Sequence, residues 1–135
     1  VKPGNATVLK SLLSAGALII VSSIAVDADG QLRNINADDA AVCVASALNA
    51  EHLLLLSDVA GVRLANGNYA PSLTGAEIQQ LIQDGTISGG MIAKVRAALD
   101  AAAALLKPVT IASFLQPGEL RRLRSDAVFG TTVRL

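Results

Sequence analysis

Apolar residues at Val8, Leu9, Leu12 and Leu13 recur one helical turn apart, which predicts a helix over Asn5–Ala15 with Gly16 as its stop. Leu18 to Val21 is apolar without interruption, the pattern of a strand buried on both faces. Asp27-Ala28-Asp29-Gly30 predicts a turn at the tip of a hairpin-like excursion. A second helix is expected from about Asp38 to Asn49, and a second buried strand at Leu53 to Leu56. The stretch from Ser57 to Ser72 contains Gly61, Asn66-Gly67 and Pro71, so it reads as irregular, with a small β-ribbon around Asn66-Gly67. Thr74-Gly75-Ala76-Glu77 is a capping box opening a helix that ends near Gly85. Gly90 to Leu106 is long, Ala-rich and strongly helical. Pro108 stops it and leads into a strand at Val109 to Ala112. Pro117 suits the first turn of a short helix to about Leu123, and Ala127 to Arg134 reads as a last strand.

Strands alternating with helices imply an α/β fold with a mainly parallel sheet layered between helices. The chain has 135 residues, a length that fits one compact domain, and no linker or internal repeat interrupts it. In such sheets ligands bind beyond the carboxyl ends of the strands. That rule directs attention to Ser57-Asp58, directly after a strand, and to the residues around Asn34.

Composition changes this picture in a few places. Apolar residues make up 52% of the chain and aromatics 2%, so the core must be built from Leu, Ile, Val and Ala. Eleven basic and 11 acidic residues cancel, which argues against a nucleic-acid or acidic-membrane surface. Arg121, Arg122 and Arg124 form too short a cluster to alter that, and read as a solvated helix face. Cys43 is the only cysteine, so no internal disulfide can form, and its apolar neighbours mark it as a small buried side chain. A lone thiol fits a reducing compartment. The apolar run Ala17 to Val26 is broken by Ser22 and Ser23 and is shorter than the roughly 20 residues that span a bilayer. The opening Val-Lys-Pro-Gly carries no secretory signal, and the absence of a starting Met suggests a fragment.

Three polar groups could carry chemistry. Asn34, Asn36, Asp38 and Asp39 stand before and at a helix start, where Asn and Asp cap free N–H groups and suit the positive end of the helix dipole. Alternatively, Asn34 and Asn36 offer amide donors to a ligand carboxylate or phosphate while Asp38 holds a cationic side chain. Ser57-Asp58-Val59-Ala60-Gly61-Val62 is either a plain turn or a loop wrapping a nucleotide, with Gly61 allowing close backbone approach. In Ser88-Gly89-Gly90-Met91-Ile92-Ala93-Lys94, two glycines at a helix start leave N–H groups open to phosphate, and Lys94 lies one turn in. Lys94 is otherwise an ordinary solvated lysine. The pattern of a Walker-A loop is absent, as is a Gly-x-Ser-x-Gly elbow. His52 is the only histidine, so no metal-ligand cluster is visible, and it reads as a structural or surface residue.

Order and spacing together say more than each group alone. Val21-Ser22-Ser23-Ile24-Ala25, Gln31-Leu32-Arg33-Asn34-Ile35-Asn36-Ala37-Asp38, Leu54-Leu55-Leu56-Ser57-Asp58-Val59-Ala60-Gly61-Val62, Asp84-Gly85-Thr86-Ile87-Ser88-Gly89-Gly90-Met91-Ile92-Ala93-Lys94-Val95, Val109-Thr110-Ile111-Ala112 and Gly130-Thr131 follow in sequence. This succession resembles the C-terminal, ATP-binding half of the N-acetylglutamate kinases, within the amino-acid kinase family. The resemblance covers nearly the whole chain.

The resemblance implies that ATP, carrying Mg²⁺ on its phosphates, phosphorylates the side-chain carboxylate of N-acetyl-L-glutamate, giving an acyl phosphate for arginine biosynthesis. Asn34 would contact the acetylglutamate. Asp38 would orient catalytic lysines, and Lys94 would neutralise phosphate charge in transfer. Ser57, Asp58, Gly90 and Met91 would form the nucleotide pocket. The family's enzymes are cytoplasmic homo-oligomers. Their N-terminal half carries a lysine beside a Gly-Gly pair, a second Gly-rich turn and a substrate-gripping arginine, none of which is in this chain. The family also places an acidic residue soon after the position of Gly61-Val62, where Arg63-Leu64 stands here. The expectation is therefore a nucleotide-binding half that is inactive alone. The alternatives are a related kinase of a protein-carried aminoadipate and a non-catalytic nucleotide-binding module.

Overall fold

The computed structural model describes residues 5–115, 118 and 129–135. These fall into two compact units that meet in sequence at Glu51 and His52.

The first unit opens with α1, Thr7–Ser14, the expected helix. It ends as the glycine predicts: the Gly16 N–H bonds to Leu13 and the Ala17 N–H to Leu12, with Gly16 at φ +80°. Strands β1, Ile24–Val26, and β2, Leu32–Asn34, then form an antiparallel hairpin in which Ile24 faces Asn34 and Val26 faces Leu32. Helix α2, Ala37–Leu48, follows and closes with Asn49 in the left-handed region. The buried strand expected at Leu18 to Val21 is absent. A strand exists only through the ladder of a neighbour, no described segment pairs with this one, and Leu18 and Ile20 are 90% exposed. Cys43 is half-buried rather than buried.

The second unit carries the sheet. Its strands are β3, Leu53–Ser57; β4, Ser72–Thr74; β5, Val109–Ser113; and β6, Thr131–Arg134, in the spatial order β3-β5-β6-β4. The β3–β5 and β4–β6 pairs are parallel and β5–β6 is antiparallel, so the sheet is mostly parallel, as the alternation of elements implies. Strand β4 falls inside and beside the stretch expected to be irregular. It is only three residues long and gives no alternating signal. The last strand is shorter than expected, because Phe129 and Gly130 precede it outside the ladder. The helix expected from Pro117 and the Arg121, Arg122 and Arg124 cluster lie outside the described residues.

Two helices complete this unit: α3, Gly75–Gln83, and α4, Gly90–Leu105. The capping box forms as the sequence predicts. The Thr74 N–H donates to Glu77 Oε2 at 2.7 Å, and the Glu77 N–H reaches back to Thr74 Oγ1 at 3.4 Å. Helix α4 lies on β5 and β6 through Val95, Ala98, Ala101 and Ala102, one buried face at helical spacing. Alanine brings the helix backbone close to Val109, Ile111, Ala112 and Val133, all fully buried. Among the described residues no helix is long and apolar enough to cross a membrane.

Candidate functional site

The first unit supplies the asparagines. The β1–β2 turn is held by Asp27, whose Oδ1 accepts the N–H groups of Asp29 and Gln31 at 3.0 and 2.9 Å. Its Oδ2 accepts Arg33 Nε at 2.7 Å. The Gln31 N–H, then the Arg33 guanidinium, hold the Asp27 carboxyl below its ordinary range, against a small opposing effect of burial. A stiff hairpin thus ends at Asn34, which is exposed, and the Ile35 N–H is tied to the Ser23 carbonyl at 3.0 Å.

Asn36 is the N-cap of α2. Its Oδ1 accepts from the N–H groups of Asp38 and Asp39 at 2.8 and 3.2 Å, with the backbone extended at φ −60° and ψ 134°. Capping and donation are compatible here: with the oxygen turned to the helix, the Nδ2 group has no partner among the described residues. Asp38 is half-buried in the first turn, and its carboxylate makes no ion pair among those residues.

The second unit supplies the loop and the glycines. Ser57, 5% exposed, ends β3, and its Oγ donates to Asp58 Oδ1 at 3.0 Å. Just after β5, the Phe114 N–H bonds to the Ser57 carbonyl at 2.9 Å, and the Leu115 N–H bonds to Ser113 Oγ at 3.0 Å. Asp58, Ser113 and Phe114 therefore share one end of the sheet, beyond the carboxyl ends of two parallel strands. Gly61 is buried at φ +151°, a conformation that requires glycine.

Gly89 caps α4 at φ +57° with no side-chain hydrogen bond, and no acidic residue sits in the helix's first turn. A Cβ at Gly89 or Gly90 would meet nothing within 4 Å, and the Gly90 and Met91 N–H groups make no hydrogen bond among the described residues, whereas the Ile92 N–H bonds to the Gly89 carbonyl at 3.2 Å. Lys94 is half-buried on this helix and Met91 is half-buried at its start. An uncapped N-terminus with a cation one turn in is suited to phosphate. A cavity of about 330 Å³ elsewhere in the unit, between Leu64, Leu73, Gln80 and Leu81, includes none of the sequence-predicted residues.

The structure brings Ser57, Asp58 and Gly61 onto one loop, and Gly90, Met91 and Lys94 onto one helix start. Asn34, Asn36 and Asp38 belong to the other unit. Sequence reasoning missed Ser113 and Phe114, although the rule that singled out Ser57 applies equally to the end of β5. It also missed the Asp27–Arg33 pair, whose signal is opposite charges flanking a predicted turn.

The profile of the Amino acid kinase family matches residues 1–113. The chain belongs to the amino acid kinase family. It is 46% identical over 134 residues to the acetylglutamate kinase of Aeromonas salmonicida, covering 99% of this chain and 51% of that protein. It is equally similar to the acetylglutamate kinase of Pasteurella multocida, covering 99% of this chain and 52% of that one. The chain thus spans about half the length of the curated relatives it matches. Among solved structures, smu.665 from Streptococcus mutans aligns with a TM-score of 0.74 at 30% identity, over 99% of this chain and 49% of that one. N-acetylglutamate synthase from Neisseria gonorrhoeae, at 24% identity, shares the fold, with a TM-score of 0.80 over 94% of this chain and 30% of that one.

Proposed function

We propose that this chain supplies the ATP site of a kinase that phosphorylates the side-chain carboxylate of N-acetyl-L-glutamate. The observation that carries the reading is the start of α4: an uncapped N-terminus at Gly89-Gly90, open on its outer side, with Lys94 one turn in and half-buried. Similarity to the acetylglutamate kinases of Aeromonas salmonicida and Pasteurella multocida supports the choice of acceptor.

Phosphoryl transfer asks a protein for positioning and positive charge more than for covalent chemistry. In this reading the α4 N–H groups and Lys94 receive the phosphates of Mg²⁺-ATP, and Ser57, Asp58, Gly61 and Met91 bound the nucleotide. Asn34 and Asn36 Nδ2 donate to the acetylglutamate, and Asp38 orients cationic groups, the roles that similarity to the family implies for them. A carboxylate oxygen attacks the γ-phosphorus, the bond to the β-phosphate oxygen breaks, and ADP leaves with the electron pair. The 135-residue chain alone should bind Mg²⁺-ATP without turnover. Catalysis belongs to the polypeptide as the cell makes it.

The test is acetylglutamate-dependent ADP formation by that polypeptide, with hydroxylamine trapping of the acyl phosphate. Lys94→Ala should lower kcat on the order of 100-fold with little change in the acetylglutamate KM, because the charge matters most as the phosphate charge redistributes. Unchanged kcat would remove Lys94 from the mechanism. ATP binding with no turnover on acetylglutamate or an aminoadipate would leave a non-catalytic nucleotide-binding module.

A further inference from the structure

We infer that Thr131 is a positioning residue for the nucleotide loop: its buried hydroxyl clamps the loop's far end against the sheet. The inference rests on the assignment of that loop to ATP. Thr131 begins β6 and is fully buried, a polar side chain in an apolar setting. Its Oγ1 accepts the Val62 N–H at 2.8 Å and donates to the Ala70 carbonyl at 2.7 Å, so one hydroxyl satisfies two groups across the chain. The Ala70 N–H in turn bonds to the Val62 carbonyl at 2.8 Å. Val62 and Ala70 are the two feet of the ribbon around Asn66-Gly67, and both are buried.

The loop between Ser57 and Val62 is thereby fixed at both ends. At its start the Ser57 carbonyl is held by the Phe114 N–H, and at its finish the Val62 N–H is held by Thr131. Between these points the N–H groups of Val59, Ala60 and Gly61 make no hydrogen bond among the described residues. A segment pinned at both ends with free donors between is suited to receive a ligand in one geometry. Two glycines let the clamp close. A Cβ at Gly61 would lie 2.6 Å from Thr131 Oγ1, and one at Gly130 would run into the Ile111 carbonyl oxygen.

The experiment compares Thr131→Val, Thr131→Ser and the unaltered polypeptide as the cell makes it, by kinetics with ATP and acetylglutamate varied separately and by thermal unfolding. Valine keeps the shape and loses both bonds, whereas serine keeps both bonds and loses one methyl group. The expected result is a KM for ATP raised on the order of tenfold in T131V, the acetylglutamate KM unchanged, and T131S restoring the ATP value. A T131V protein that is less stable but retains its ATP KM would overturn the inference and leave the ATP site in place. If T131V cannot be purified, Thr131→Ala, which also loses both bonds, should give the same selective rise, and an unchanged ATP KM there would overturn the inference. A tenfold rise in T131S, which keeps both bonds, would mean that the methyl packing matters rather than the bonds and would likewise overturn the inference. An unaltered protein that binds no Mg²⁺-ATP would remove the site and the clamp together.

Discussion

Asn36 is where capping and substrate binding can be separated by experiment. Its Oδ1 makes one good bond at 2.8 Å and one near the limit of a useful bond at 3.2 Å. Asn36→Ala removes both, and such caps are worth about 1 kcal/mol. The α2 N-terminus is exposed, so water can replace part of what is lost, and Asp38 and Asp39 still complement the helix dipole. The expected loss is therefore in the lower half of the range, and Tm should fall by roughly 3 °C. Asn36→Ser is the informative partner, because a serine oxygen caps about as well but offers no amide donor. N36S should keep the Tm. If Nδ2 donates to the acetylglutamate carboxylate, its loss costs roughly 1.5–3 kcal/mol, a 10- to 150-fold rise in that KM. Circular-dichroism melting and steady-state kinetics on the three proteins give both numbers. A serine variant with an unchanged acetylglutamate KM would refute the donor role and leave Asn36 as a cap alone.

Three other expectations concern single residues. Asp38→Asn should lower kcat about tenfold or more while Tm moves by no more than a few degrees, since only a charge in the first turn is lost; a large Tm drop with normal kcat would reduce Asp38 to a helix-stabilising role. Gly130→Ala should destabilise by at least about 2 kcal/mol in urea unfolding, because φ is +63° and the new Cβ would collide with the Ile111 carbonyl, with Ala112 Cβ at 3.1 Å; a neutral result would mean that this backbone approach is looser than described. The Glu77 carboxyl is held below its ordinary range first by the Thr74 N–H and then by the Thr74 hydroxyl, with burial opposing slightly. A carboxyl lowered by folding stabilises fully above its unfolded pKa and loses that stabilisation as pH falls through the folded value. The Tm difference between the unaltered protein and Glu77→Gln should thus be present at pH 7 and shrink in the acid range; a difference constant with pH would contradict the assignment.

How much of this was legible in the sequence follows from what kind of force fixes each element. The capping box, the Asp27–Gly30 turn and the glycine stop after α1 depend on neighbours within a few residues, and all three form as read. Helix α4 was equally plain, because its small residues fall at helical spacing and Pro108 ends it. Strands are different, since their hydrogen bonds belong to a partner elsewhere in the chain. Leu18 to Val21 has the composition of a buried strand but no described neighbour to pair with, and Ser72–Thr74 has almost no strand signal yet pairs with β6. The same distinction divides the candidate site. Asn36, Gly89 and Lys94 announce themselves through local rules about helix ends. Thr131 does not, because its two partners lie 69 and 61 residues away in sequence. Its place is a property of the sheet, which brings the start of β6 beneath the loop that follows β3, and only there does a Gly-Thr pair become the far anchor of the loop proposed to receive ATP.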